Sequence, residues 1–566
     1  MDYLKNAERW GLFEVTDTGV SEGNPFIERE IWGIFTGAHE KVRVRGFYDG
    51  NGVYKVRFMP SYAGNYTFMI CGNYRALGNG KSAVPMNEKS AVQKTGKDSV
   101  PKKETACRTG RTIDPGDSGE RNGGSVCGSN EVLTGSFTAA EASCDNHGPV
   151  EVRNTYHFAY ADGTPYYSVG TTCYVWELRS DEEIRRTLET LKGSPFNKLR
   201  FCIFPKHYDY NLTEPRDYPY EGTPMDSSVL TKENFSDYTG KTEGNHFDFS
   251  RFRPEYFQHL EKCILKLQQI GIEADLILMH PYDRWGFSKM TKEQDLLYLQ
   301  YAAARFSAYR NVWWSLANEY DLLTEKNCDD WEDYAELIHG CDPYGHPVSI
   351  HNCMVRFDHT KPWLTHASLQ RIDVFKTTEE TDLCREMYRK PIVWDEIGYE
   401  GNIQHGWGNL SPQELVRRFW EASVRGGYAG HGETYMDPED ILWWSHGGRL
   451  KGESASRLKL LHEILCETPG IGLAPYEKKE WDESCAVPEE EGKRAVYSYY
   501  LCYYGFMRPS FRVFHYDDVT EFSVRVIDTW NMTIEEKGVH RGNFRIDLPG
   551  REYMAVQLRR VGEAAG

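Results

Sequence analysis

Two short apolar runs in this chain end in acids. Val312-Trp313-Trp314-Ser315-Leu316-Ala317 leads into Asn318-Glu319, and Ile392-Val393-Trp394 leads into Asp395-Glu396. An apolar run of this length, free of proline and preceded by helical periodicity, reads as a parallel strand buried on both faces. The residues at the C-terminal end of such a strand face the mouth of an α/β barrel. Two carboxyls meeting there are the parts needed to cleave a glycosidic bond: one protonates the leaving oxygen and the other attacks the anomeric carbon. Side chains alternate along a strand, so Asp395 and Glu396 are expected to point opposite ways, with only one facing the centre at that level.

The elements that must position these acids alternate strand and helix from about 155 to 470, the pattern of a parallel sheet. Strands are expected at 166–174, 198–204, 273–279, up to Glu319, 347–351, near 364–369, up to Glu396, and at 427–434. Helix starts are marked by Ser180 with Glu183, by Thr291 with Gln294, and by Ser411-Pro412 with Glu414, each a cap residue with an acid or amide three positions on. Residues 207–253 form a long Tyr- and Asp-rich excursion between the second strand and its helix, and long connections in compact domains are usually functional.

Both flanks read as β structure. Alternating segments at 27–32, 42–45, 53–58 and 66–68, with Gly-rich turns between them, suggest a sandwich before the barrel. Segments at 496–504, 511–514, 522–527 and 553–558 suggest a second small β domain after it. Residues 74–130 are rich in Gly, Ser, Lys and Thr and hold no aromatic beyond Tyr74. They cannot bury enough surface to offset their ordering entropy, so a flexible insertion is expected there. A last strand of the sandwich is expected near Gly135-Ser136-Phe137-Thr138.

Composition excludes some partners. A net charge of −18 makes nucleic acid and anionic membranes poor partners. No stretch approaches the length of a membrane span, and the first residues show no basic segment followed by an apolar run. The 14 cysteines show no C-x-x-C spacing, which reads as reduced thiols of a cytoplasmic protein. With 15 Trp and 36 Tyr the chain has aromatics enough both for large cores and for stacking sugar rings.

An Asn-Glu closing one strand and a Glu closing a later one resembles clan A of the retaining glycoside hydrolases. The segments GTPYYSVGTTCYVW, FNKLRFCIFPKHY, ADLILMHPYDRWGF, WWSLANEYD and VWDEIGYEGN, in that order, resemble the apiosidase-like glycosidases. The resemblance spans nearly the whole chain apart from the insertion. It implies a (β/α)8 TIM barrel at 153–471, an immunoglobulin-like β-sandwich at 1–152, and a C-terminal β-sandwich at 472–566. It further implies Glu319 on strand 4 as acid/base and Glu396 on strand 7 as nucleophile, with Asp395, Glu400 and Glu433 as rivals for the second role. Arg200 matches the clan arginine that keeps the nucleophile ionised, and Asn318 would bond the sugar hydroxyl beside the reacting carbon. His280 and His351 end strands 3 and 5 and are expected to bind sugar. Trp176, Trp285, Trp443 and Trp444 lie in loops at the mouth, and one or two of them are expected to form the platform under the sugar, with Trp176 and Trp443 foremost. Glu433 is a third acid at the mouth that could also hold sugar hydroxyls.

The expected function is therefore a retaining glycoside hydrolase acting on plant-derived oligosaccharides, with no metal or organic cofactor. The alternative is a non-catalytic carbohydrate- or matrix-binding protein on a barrel scaffold. Sugar identity, linkage and oligomeric state, a homo-oligomer included, are left open at this stage.

Overall fold

The computed structural model describes residues 1–75, 132–371, 373, 377–436, 442–476 and 484–562. The insertion expected at 74–130 falls outside these residues except for its first two. The strand expected to follow it is present, Leu133–Ala140, and pairs antiparallel with Gly64–Gly72.

Eight parallel strands form the central sheet: β1 (Val169–Thr172), β2 (Lys198–Cys202), β3 (Glu273–Ile277), β4 (Val312–Ser315), β5 (Val348–Ser349), β6 (Ala367–Gln370), β7 (Ile392–Glu396) and β8 (Tyr428–His431). Their spatial order is β5-β4-β3-β2-β1-β8-β7-β6, and a parallel bridge from His351 to Ser368 brings the two end strands together. The result is a nearly closed TIM-like barrel. All eight strands are buried throughout, which is why they read in sequence as continuous apolar runs rather than alternating ones.

The helix starts follow their caps. Ser180 and Glu183 form a reciprocal capping box, as do Thr291 and Gln294. Ser411 accepts from the Glu414 amide with Pro412 at the first helical position. Several strands are shorter than expected. Pro165–Tyr166 leaves the first barrel strand and joins a three-stranded sheet with Val150–Arg153 and His157–Tyr160. Phe158 from that sheet packs on Trp313 with ring centroids 4.9 Å apart. With Tyr166, Val393 and Tyr428 it forms an apolar cluster at the N-terminal ends of the strands. At the other end of β8, Glu433–Thr434 pairs with Glu400–Gly401, tying the loop after β7 to the loop after β8.

Before the barrel, a five-stranded and a four-stranded sheet share one core built on Phe13, Phe35, Phe58, Phe68 and Phe137. The strand expected at 27–32 begins only at Ile31, because Pro25–Glu28 makes one helical turn. Proline at a first helical position is preorganised for that. This sandwich is anchored to the barrel by Arg57, which donates to both oxygens of Glu261 at 2.6 and 3.0 Å. After the barrel, a six-stranded sheet and a two-stranded ribbon (Phe511–His515 with Asn543–Asp547) close over a second core. No described helix is long and apolar enough to cross a membrane.

Candidate active site

The C-terminal ends of the strands surround a cavity of about 180 Å³ lined by Tyr174, Lys206, Tyr208, Tyr282, Glu319, Cys353, Gln370, Glu396, Tyr399, Trp407 and Trp444. Glu319 and Glu396 both open onto it. Each is 6 % exposed.

Glu396 is held from three sides. Arg200 on β2 donates to its Oε1 at 3.0 Å. The Tyr174 hydroxyl donates to the same oxygen, and His351 Nε2 lies 3.4 Å from it. Burial pushes the Glu396 carboxyl up, but His351, Arg200 and Tyr174 together outweigh it and bring it down to about 2. Such a group is an anion throughout the neutral range.

Glu319 is set the other way. Burial, then the charge of Glu396, raises its carboxyl above the ordinary range, while Tyr282, Lys206 and His351 pull against them. The Tyr282 hydroxyl donates to its Oε2, and the Asn318 amide lies 3.3 Å from the same oxygen. Burial, then Glu319's charge, pushes the Tyr282 phenol far up, so it stays a donor. The backbone of Glu319 is left-handed, with φ 51° and ψ 56°. That region is sparsely populated by non-glycine residues, costs of order 1–3 kcal/mol, and persists where neighbours over-determine it. Here the Asn318 amide donates to Met279 and the Tyr320 amide to His351, fixing the chain on both sides of the turn.

The expected opposition of Asp395 and Glu396 is not observed. Both face the barrel interior, at different levels. Asp395 accepts from Lys198 at 2.7 Å and from Ser368 at 2.5 Å, and Lys198 also donates to Asp275 at 2.8 Å. The reason is a register shift on β6–β7: Ser368 pairs Val393, but Gln370 pairs Glu396, leaving one extra residue on β7. Such a bulge resets the alternation and re-aims the side chain after it.

The other sequence candidates divide. Arg200 is fully buried, not a surface charge, and its second nitrogen donates to Asn318 Oδ1 at 2.7 Å. Asn318 thus sits between Arg200 and Glu319, behind the cavity wall rather than on it. His351 lies behind Glu396, with Nδ1 3.0 Å from Ser368 and Nε2 3.2 Å from Gln370. His280 does not line the cavity. Its Nε2 is 3.2 Å from the Phe204 carbonyl, and burial, then Lys206, brings it down to about 3. Trp176 packs on Phe201 in the core, Trp443 donates to Thr171 Oγ1 at 2.9 Å, and Trp285 is buried beside Phe287. None of these three tryptophans reaches the cavity; Trp444 does.

Glu433 and Glu400 lie outside the cavity wall as well. Together with His431 they bring ligand atoms within 4.8 Å of one another, the one such group among the described residues. Their carboxylate oxygens already accept from the amides of Lys451, Gly452, Glu453 and Ser454. They therefore clasp that loop to the barrel, and burial pushes Glu433 up to about 7.

Sequence reasoning passed over Tyr174, Lys206, Tyr208, Tyr282, Tyr399 and Trp407. The available signal was their place in the connections that follow the C-terminal ends of the strands. Trp407 forms an aromatic wall with Trp444 (centroids 5.1 Å) and with His405, stacked at 10°.

Comparison with known proteins bears on the family and the fold. Residues 152–490 match the apiosidase-like catalytic domain. Residues 6–72 and 481–559 match two domains of unknown function. No curated protein is detectably similar in sequence. A Bacteroides vulgatus ATCC 8482 protein described as a candidate glycoside hydrolase is 32 % identical, with a TM-score of 0.80 over 99 % of this chain and 100 % of its own. A glycoside hydrolase of family 5 from the same organism shares the fold at 14 % identity and a TM-score of 0.55, over 74 % of this chain and 95 % of its own. This chain is a glycosidase, and it belongs to the apiosidase-like family of glycoside hydrolases.

Proposed function

We propose that the enzyme is a retaining glycoside hydrolase in which Glu396 is the nucleophile and Glu319 the acid/base. The observation that carries this reading is the opposed setting of two carboxyls on one cavity, one held as an anion and one pushed toward its neutral form. Pairs whose environments push them apart are how one site supplies both an acid and a base.

In the first step Glu396 attacks the anomeric carbon, the bond to the leaving oxygen breaks, and Glu319 gives its proton to that oxygen. In the second step Glu319, now a carboxylate, takes a proton from water. The water oxygen attacks the anomeric carbon and releases Glu396. Arg200, Tyr174 and His351 keep Glu396 ionised and aimed. Asn318 couples Arg200 to Glu319. Trp407 and Trp444 supply the apolar face against which a sugar ring can stack.

A cavity of about 180 Å³ suits one or two sugar residues, and a plant-derived oligosaccharide is the substrate class we propose. The reading includes a cytoplasmic setting, in which imported oligosaccharides rather than polymer would be the substrates. The test is hydrolysis of a panel of aryl glycosides and defined oligosaccharides, with the first-formed product anomer read by proton NMR. The reading expects turnover with retained configuration. An inverted product, or sugar binding with no turnover on any substrate, contradicts it.

A further inference from the structure

One charged side chain on the cavity has no place in the mechanism above. Lys206 follows β2, is 5 % exposed, and lines the cavity. Its ammonium lies 3.4 Å from the centroid of Tyr174, 4.3 Å from Tyr282 and 4.8 Å from Trp444. Two of these rings are the phenols that hold the glutamates, since Tyr174 donates to Glu396 and Tyr282 to Glu319. A cation against a ring's π face is attracted to it, and more strongly where water is excluded. By drawing on the ring's electrons it also strengthens the phenol as a donor.

The charges around the cavity then leave a surplus. Arg200 is paired with Glu396. With Glu319 protonated, the Lys206 cation has no anionic counterpart at the site. Once Glu319 gives up its proton and Glu396 becomes an ester, Glu319 is the anion, and Lys206 is a cation on the same cavity wall that favours its ionisation. We propose that Lys206 is the counter-charge of Glu319, a positioning residue that stabilises the carboxylate left when Glu319 protonates the leaving group. This rests on the roles assigned above to the two glutamates.

The groups facing Glu319 act in both directions. Glu396 opposes its ionisation, and Tyr282, Lys206 and His351 favour it. Tyr208 and Cys353 also feel its charge from neighbouring loops. Around Lys206 itself, burial is the largest influence, Cys202, Glu319 and Glu396 favour its charge, and Arg200 opposes it, bringing the ammonium down to about 8. A cation at this place keeps a buried carboxyl from becoming too weak an acid.

The test compares Lys206→Met and Lys206→Arg with the parent enzyme. A dinitrophenyl leaving group needs no proton, whereas an alkyl leaving group does. Lys206→Met is expected to slow the alkyl glycoside about tenfold more than the dinitrophenyl one, and to move the alkaline limb of kcat upward, because Glu319 then loses its proton only at higher pH. Lys206→Arg is expected to restore both. An equal loss on both leaving groups with an unmoved limb overturns the proposal. So does a rise in KM confined to substrates bearing a carboxylate, which would make Lys206 a reader of substrate charge. A second measurement is independent of turnover: direct titration of the Glu319 carboxyl by carbon-13 NMR, assigned with Glu319→Gln. It is expected to rise in Lys206→Met, and an unchanged value overturns the counter-charge whether or not the enzyme hydrolyses the glycosides tried. Absence of turnover in the parent enzyme, with this shift present, would instead overturn the glycosidase roles alone.

Discussion

Two layers of buried charge lie on the same strands, one above the other, and they behave differently. The lower joins Lys198 of β2 to Asp275 of β3 and Asp395 of β7. The upper joins Arg200, two residues along β2, to Glu396, one residue along β7. Both are cation–carboxylate contacts, and Asp395 below and Glu396 above are each held below the usual carboxylate range. The lower is covered by Trp313, 5.3 Å from the Lys198 ammonium, and its acid is consumed by Lys198 and Ser368. The upper opens onto the cavity and faces Glu319 across it. Residue type and charge are alike in the two layers. Access, and the presence of a second acid set the opposite way, separate an internal brace from a reaction centre.

The sharpest way to break this contrast is to exchange one acid at a time. Glu396→Gln is expected to lower kcat by at least about a thousandfold while the fold is kept, since it removes the nucleophile but leaves the shape of the site. Asp395→Asn, one residue away, is expected to leave kcat within about tenfold and to cost about 1–3 kcal/mol of stability, because a charge-assisted bond is lost while Lys198 retains Asp275. Steady-state kinetics and thermal melts of both variants read this directly. A reversed pattern would mean the layers have been assigned the wrong way round.

A smaller effect sharpens the same comparison. Glu396 must be ionised and Glu319 protonated for the first step, so kcat/KM should fall as pH drops through the Glu396 value and as it rises through the Glu319 value. Arg200→Met removes one of the partners that keep Glu396 low, so its acid limb should move upward by roughly 1–3 pH units. The matching change below, Lys198→Met, should leave that limb in place. A pH–rate profile on an activated aryl glycoside distinguishes the two.

The barrel was legible because burial on both faces leaves a plain trace: uninterrupted apolar runs ending in polar residues. The capping boxes at Ser180 and Thr291 were legible for the same local reason. The pair Glu319 and Glu396, and Arg200 beside Glu396, could be found because each closes or lies within such a run. The bulge that turns both Asp395 and Glu396 inward could not, because it arises from pairing with β6 and leaves no mark on β7 alone. The cavity wall was the least legible part. Lys206, Tyr208, Tyr282 and Trp407 come from connections without periodicity, and their convergence depends on how separate loops fold over one another. Trp176, Trp443 and His280 have the residue types and the chain positions of sugar contacts, yet each is turned into the core by a neighbour the sequence does not place beside it.

The central claim is that Glu396 becomes covalently bonded to the sugar while Glu319 faces it across one cavity. Incubation with a set of dinitrophenyl 2-deoxy-2-fluoroglycosides, followed by peptide mass spectrometry, tests it most directly. The account predicts an adduct on Glu396 that is absent from Glu396→Gln and still forms in Glu319→Gln. An adduct on Asp395, Glu400 or Glu433 would contradict it.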